Sequence, residues 1–223
     1  MMHQQISKKI IIYLFIYFTL VTITNTKLSD DFYKIKNFDI YGLDQLETEV
    51  LYDNVKNFEN HNIFLLNKKE VTSMILNNKT IQEFEIIKIY PSTLKIKIKK
   101  SKFLAKTKKN GIDYMVLENG NLINTKNPNL KLPYIFGNIE VDDFLEFKNM
   151  IDISDFEFNK IKNLYYFKSN RWDLVFQNGL ILKMPINLTI KKLNLIYKII
   201  EKNDFKEVMI IDFRQNNMLV INE

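Results

Sequence analysis

The sequence predicts an α+β chain in three parts: an apolar N-terminal helix, a small β-α-α-β-β unit, and a larger, mostly antiparallel β domain carrying helices. Three observations carry this prediction. The stretch Ile10 to Ile23, IIIYLFIYFTLVTI, is uncharged and apolar on every face, with Lys8 and Lys9 before it and Lys27 after it. Between Phe38 and Lys99 the hydrophobic period passes from two to 3.6 and back to two. Beyond Lys100, short alternating runs are punctuated by Lys109-Asn110-Gly111, Asn119-Gly120 and Asn178-Gly179.

As a helix, residues 10–26 rise about 26 Å against a hydrocarbon core of about 30 Å. The flanking lysines can snorkel across the shortfall. Three readings stand side by side. One is a membrane anchor presenting Ile10, Leu14, Phe15, Phe18 and Ile23; the others are a cleaved signal and a core helix. No Ala or Gly occurs between Met1 and Gly42, so the small-residue cleavage pattern of a signal is missing. Residues 27–36 form a charged spacer.

Phe38 to Tyr41 alternates as a strand stopped by Gly42. Leu43 to Phe58 follows as a helix with Leu46, Val50, Leu51, Val55 and Phe58 at helical spacing. Asn67 caps a second helix carrying Val71, Met74, Ile75 and Leu76. Ile81 to Tyr90 is a strand, Pro91-Ser92-Thr93 a turn, and Leu94 to Lys99 a strand of strict period two. Further on, Phe103–Lys106, Tyr114–Leu117 and Leu122-Ile123 are short strands, and Leu132–Gly137 closes that unit. Val141 to Met150 is a helix with Phe144, Phe147 and Ile151 inward. Leu164–Lys168, Arg171–Phe176 and Leu180–Met184 form a meander. Asn187 caps a helix striped by Ile190, Leu193, Ile196, Tyr197 and Ile200. Val208–Phe213 and Met218–Ile221 end the chain as two strands about a polar turn.

Composition removes most catalytic classes. The chain has no Cys and two His, at His3 and at His61 in a turn, which leaves no thiolate site and no His-based triad or metal cluster. Asp30-Asp31 and Asp142-Asp143 are adjacent pairs, about 100° apart on a helix, which suits capping or solvation better than a paired acid and base. Five Gly, none in a G-x-G pattern, provide no phosphate cradle. The net charge of +6 is lysine charge: of 32 basic residues only Arg171 and Arg214 are Arg. Lys95, Lys97 and Lys99 alternate with Ile96 and Ile98, the pattern of a strand with one wet face. That face lacks the stacking aromatics of RNA-binding sheets, and exposed lysines also guard a sheet edge. Neither nucleic acid nor a small-molecule substrate is expected, and no cofactor or metal.

Arg171 and Arg214 mark positions where a planar, multi-donor guanidinium is used in a lysine-rich chain. They pair with internal carboxylates, Asp173 and Asp212 being near in sequence, or contact a partner; both readings stay open. Met218-Leu219-Val220-Ile221 is an apolar terminal strand, and such an edge invites a partner's strand.

Phe38-x-Ile40-x-Gly42, then Asn62-x-Phe64-x-Leu66, then Ile86-(x4)-Pro91-x-x-Leu94-x-Ile96-x-Ile98 resembles a POTRA domain, more narrowly that of the FtsQ/DivIB cell-division family. Glu118-x-Gly120 with Leu132-Pro133 and Gly137, then Arg171-Trp172-Asp173-Leu174, Asn178-Gly179, Lys183-Met184-Pro185 and Ile211-Asp212-Phe213-Arg214, is similar to successive landmarks of that family's β domain. Lys100 stands where the family commonly has an acidic residue, Phe103 where it has a proline, and Gln215 where it has an aromatic.

The resemblance implies residues 1–9 as a cytoplasmic tail, 10–26 as a transmembrane helix, 27–36 as a linker, 37–101 as a POTRA domain and 102–223 as an FtsQ-type β domain. It implies a bitopic, single-pass type II protein of the cell inner membrane at the division septum, N-terminus cytoplasmic and C-terminal domains periplasmic. The implied function is a divisome scaffold without catalysis, linking early and late division proteins to control septal peptidoglycan synthesis. Its last strand would bind FtsB and FtsL-like proteins through Arg171, Arg214, Gln215, Asn217 and Val220, and its POTRA domain would meet other divisome proteins. The alternative is a POTRA-containing secretion or assembly factor, or an exported adaptor, that binds extended polypeptides.

Overall fold

Helix α1 (Lys8–Asn25) forms where the apolar run lies. In the computed structural model, which describes residues 8–25, 30–124, 130–202, 208–215 and 220–222, it corrects the anchor reading. Among the described residues no helix is long and apolar enough to cross a membrane. Helix α1 opens on Lys8 and Lys9 and ends on Thr24 and Asn25. The hydroxyls of Thr19 and Thr22 bond back to the carbonyls of Ile16, Phe18 and Thr19. The uncharged stretch between these ends rises only about 21 Å, against about 30 Å of hydrocarbon. Ile10, Leu14, Phe15, Phe18 and Ile23 are exposed side chains around this helix. The transmembrane span over residues 10–26 therefore falls, and with it the bitopic inner-membrane character and the single-pass type II topology.

The chain divides into two units, Met1–Asn78 with Glu83–Lys99, and Lys79–Gln82 with Lys100–Glu223. The first contains β1 (Asn37–Tyr41), α2 (Gln45–Val55), α3 (Lys68–Leu76), β2 (Ile81–Ile89, whose first two residues count with the second unit) and β3 (Thr93–Lys100, whose last residue does). These strands make a three-stranded sheet of order β1-β3-β2, with β1 parallel to β3. Leu94, Ile96 and Ile98 face the core, while Lys97 and Lys99 pair across the sheet with Glu85 and Glu83 at 2.9 and 3.0 Å. Asn67 caps α3, its Oδ1 accepting from the Lys69 amide at 3.0 Å.

Helix α2 departs from the expected phase. Leu51 and Val55 are buried, and Phe58 beyond them in a 3-10 turn, but Leu46 and Val50 point outward. The N-cap explains the later start: the Asp44 carboxylate accepts from the Glu47 amide at 2.9 Å. Gly42 adopts φ +96°, and a Cβ there would lie 1.8 Å from the Ile98 carbonyl oxygen, so only glycine fits.

The second unit contains β4 (Phe103–Lys109), β5 (Ile112–Leu117), β6 (Leu122–Ile123), β7 (Tyr134–Phe136), α4 (Val141–Ile153), β8 (Ile161–Phe167), β9 (Arg171–Phe176), β10 (Ile181–Lys183), α5 (Ile190–Lys202), β11 (Ile210–Asp212) and β12 (Val220–Asn222). Among the described residues nine strands run in the order β12-β11-β10-β9-β8-β7-β4-β5-β6. The meander β8-β9-β10 is antiparallel, as expected. The sheet as a whole is mixed, because β4–β7, β7–β8 and β10–β11 pair parallel. The strands β4 and β5 are longer than the sequence predicts.

One register row makes the core of this unit. Ile135, Leu164, Leu174, Leu182 and Ile211 lie side by side across β7 to β11, all essentially inaccessible. Phe144, Phe147 and Ile151 of α4 and Leu193 and Ile196 of α5 belong to the same core cluster, as the helical stripes predict. Phe147 stacks on Trp172 with ring centroids 4.3 Å apart. At the start of α5 the capping bond comes from Thr189, whose hydroxyl accepts from the Lys192 amide. Asn187, the expected cap, instead accepts the Lys192 ammonium on its carbonyl.

Candidate functional site

Side chains alternate across a strand, so the residues next to the core row line the opposite face of the sheet. Here that face carries a second register row: Phe136 on β7, Tyr165 on β8, Asp173 on β9, Lys183 on β10, Asp212 on β11 and Val220 on β12. The row changes character along its length. Phe136 and Tyr165 stack at 4.7 Å with ring planes 12° apart. The next three positions are acid, base, acid. Val220 then ends the row on β12, the terminal strand of the sheet order, and is 52% exposed.

Two residues along the strands from this row stand the two arginines. β9 runs antiparallel to β10, and β10 parallel to β11, so Arg171 before Asp173 and Arg214 after Asp212 lie at the same end of the sheet. Each bonds the aspartate of its own strand. Arg171 donates from Nε and Nη2 to Asp173 at 3.2 and 3.4 Å, and its guanidinium lies 4.0 Å from the Phe167 ring centroid. Arg214 donates from Nε to both Asp212 oxygens at 2.9 and 2.8 Å, and its backbone amide donates to Oδ1 at 2.9 Å.

The two carboxylates respond oppositely. Burial pushes the Asp173 carboxyl above its ordinary value, in spite of the hydrogen bond and charge of Arg171 and the charges of Arg214 and Lys183. Asp212 is held below the ordinary value, first by the Arg214 side-chain bonds, with burial opposing. The arrangement has no nucleophile beside a base and no acid–base couple aimed at a cavity. It is a charged, hydrogen-bonded row, with Asp173 buried, that leads to the terminal strand of the sheet.

The structure thus puts Arg171 and Val220 on one face of one sheet, with Arg214, just past β11, bonded to Asp212 of that face, and Gln215 follows Arg214 at a bend. Asn217 lies outside the described residues. Both arginines carry out the structural pairing that was one of their two readings. Sequence reasoning missed Lys183, Tyr165 and Phe136 as members of the row. The spacing Arg171-x-Asp173 and Asp212-x-Arg214 was a usable signal, since residues two apart on a strand share a face. Among the described residues no group of three or more Asp, Glu or His side chains is placed to hold a metal ion.

Residues 33–100 match the family model for the POTRA domain of FtsQ type, and residues 105–214 match the model for the C-terminal part of the cell division protein FtsQ/DivIB. The chain belongs to the FtsQ/DivIB family. It is 27% identical over 161 residues to the cell division protein DivIB of Clostridium botulinum, equally in strain Hall (Type A) and strain Loch Maree (Type A3). The alignment takes in 71% of this chain and 55% of each relative, so the chain spans about half the length of the curated relatives it matches. Among solved structures it is similar to the major extracytoplasmic domain of the trans isomer of DivIB from Geobacillus stearothermophilus. That likeness has 16% identity and a TM-score of 0.33, over 47% of this chain and 97% of the other. FtsQ/DivIB proteins are scaffolds without catalysis.

Proposed function

We propose that this FtsQ/DivIB-type protein is a divisome scaffold that recruits its partner by strand addition at β12. The observation that carries this reading is the exposed β12 edge, in register with the Asp173–Lys183–Asp212 row and flanked at one end by Arg171 and Arg214. Main-chain hydrogen bonds from β12 would supply affinity, and the charged row would select the partner. The partner is an FtsB-like protein travelling with an FtsL-like one, contacted through Arg171, Arg214, Gln215, Asn217 and Val220. Residues 37–101 act as the POTRA domain that meets other divisome proteins, and residues 102–223 as the partner-binding β domain.

Co-expression with the FtsB- and FtsL-type proteins of the same genome tests this. A complex should survive size-exclusion chromatography. Val220→Asp should break it and Val220→Ile should keep it, with thermal melting unchanged because Val220 is exposed. Wild-type complex formation by a folded Val220→Asp chain would put the contact elsewhere.

A further inference from the structure

In the second unit a groove of about 680 Å³ opens where β7 is too short to fill the sheet between β4 and β8. The three strands are parallel there, and β7 begins only opposite Lys106 and Asn163. The starts of β4 and β8 therefore extend past it, with Leu104, Pro133, Phe158 and Ile161 among the lining. Both flanking strands also lose register at this place, β4 between Phe103 and Ala105 and β8 between Ile161 and Asn163. Leu104 and Lys162 are the residues that stand out of the two ladders, as β-bulges place side chains at functional rims.

The charges at the groove are of one sign. Among the described residues Lys131, Lys148 and Lys162 line it, and no carboxylate does. Lys148 is committed in part, since it pairs with Asp152 and lies 4.5 Å over the Phe158 ring. Lys131 and Lys162 are exposed on the rim. An apolar floor with a cationic rim fits a guest that has a large apolar side chain flanked by carboxylates. The volume falls within the roughly 300–1,000 Å³ of ligand sites. The groove is open to solvent rather than enclosed, so a chain can be laid into it.

We propose that this groove binds a short acidic peptide segment of a partner protein, anchored by one or two large apolar side chains. The site is separate from the β12 edge, since β8 lies four places along the sheet order from β12.

The probes are two fluorescein-labelled hexapeptides, Asp-Glu-Phe-Leu-Glu-Asp and its charge-reversed counterpart Lys-Lys-Phe-Leu-Lys-Lys, titrated by anisotropy into the full chain at low salt. The acidic peptide should saturate and the basic one should not. The double variant Lys131→Glu/Lys162→Glu should weaken acidic binding about tenfold or more, with an unchanged thermal melt. Leu104→Asp should weaken it as well, through the floor rather than the rim. Val220→Asp should leave it unchanged, which separates this site from the strand edge. Equal binding of the two peptides, saturation by neither, or indifference to the lysine reversal overturns the proposal. So does saturable binding of dodecyl phosphate at the groove without binding of the acidic peptide, which would make it a site for small amphiphiles.

Discussion

Two rows of side chains cross the nine-stranded sheet one residue apart, and they share almost the same strands. The inner row, Ile135–Leu164–Leu174–Leu182–Ile211, is apolar and closed over by the side chains of α4 and α5. The outer row, Phe136–Tyr165–Asp173–Lys183–Asp212, has aromatic rings at one end and alternating charges at the other. The same backbone hydrogen bonds hold both. With the outer face as the proposed recognition surface, stability and recognition in this sheet would be divided by face rather than by strand. Substitutions in neighbouring positions should therefore give unlike phenotypes.

The strongest way to break that division is within the inner row, beside its centre. Leu182→Ala should lower unfolding stability by about 2–5 kcal/mol, read from urea midpoints. A loss under about 1 kcal/mol would mean that the row is not the core. Gly137 comes next. It sits at φ +112°, and a Cβ there would be 2.3 Å from the Tyr166 carbonyl oxygen, where β7 meets its connection to α4. Gly137→Ala should cost on the order of 1–3 kcal/mol through backbone strain, and it should shift both rows together.

The outer row is tested by pH. Asp212, whose folded value is depressed, contributes stability that is present above the unfolded value of about 3.9 and is lost as pH falls through the folded value. Asp173, whose folded value is raised, acts in the opposite sense. The folded chain takes up its proton before the unfolded chain does, so stability grows as pH falls from the raised value toward about 3.9. In urea titrations from pH 6 to pH 3, Asp212→Asn should reduce the acid-side loss below about pH 4, and Asp173→Asn should remove the gain above it. Each change in slope is bounded by about 1.4 kcal/mol per pH unit. Parallel changes in the two variants would refute the opposed environments. The smallest effect is expected at Tyr165→Ala, which removes an exposed stacked pair worth about 0.5–1.5 kcal/mol and leaves the inner row intact.

Much of the architecture was legible in the sequence. The strict alternation of Leu94 to Lys99 gave β3 and its wet lysine face, and the spacing of Phe144, Phe147 and Ile151 gave α4 and its buried side. What escaped depended on choices the local pattern leaves open. Helix α2 offers two overlapping apolar stripes, and the cap at Asp44 together with packing on β1 and α3 selects the one with Leu51 and Val55. The parallel insertion of β7 between β4 and β8 brings together distant segments, and no short-range signal encodes that pairing. Helix α1 forms where the apolar run predicts and at nearly the predicted length, but its lysine start and Thr/Asn end leave too short an apolar stretch for the membrane reading. For the candidate site, Arg171 and Arg214 were legible as the two arginines of a lysine-rich chain and Val220 as part of an apolar terminal strand. Their relation to one face of the sheet became visible only with the register of β9 to β12.

The outermost pairing has a consequence for whatever strand lies beside β12. Ile221 stands opposite Ile211 and Val220 opposite Asp212, so β12 carries the two rows onward in phase. A guest strand inherits an odd–even rule from it. Its apolar residues must fall on one parity, beside Ile221, and its polar or charged residues on the other, beside Val220. A slip of one residue inverts every side chain at once. On the proposed strand addition, the sheet would set a reading frame for its guest and discriminate against the wrong frame without any residue dedicated to refusal.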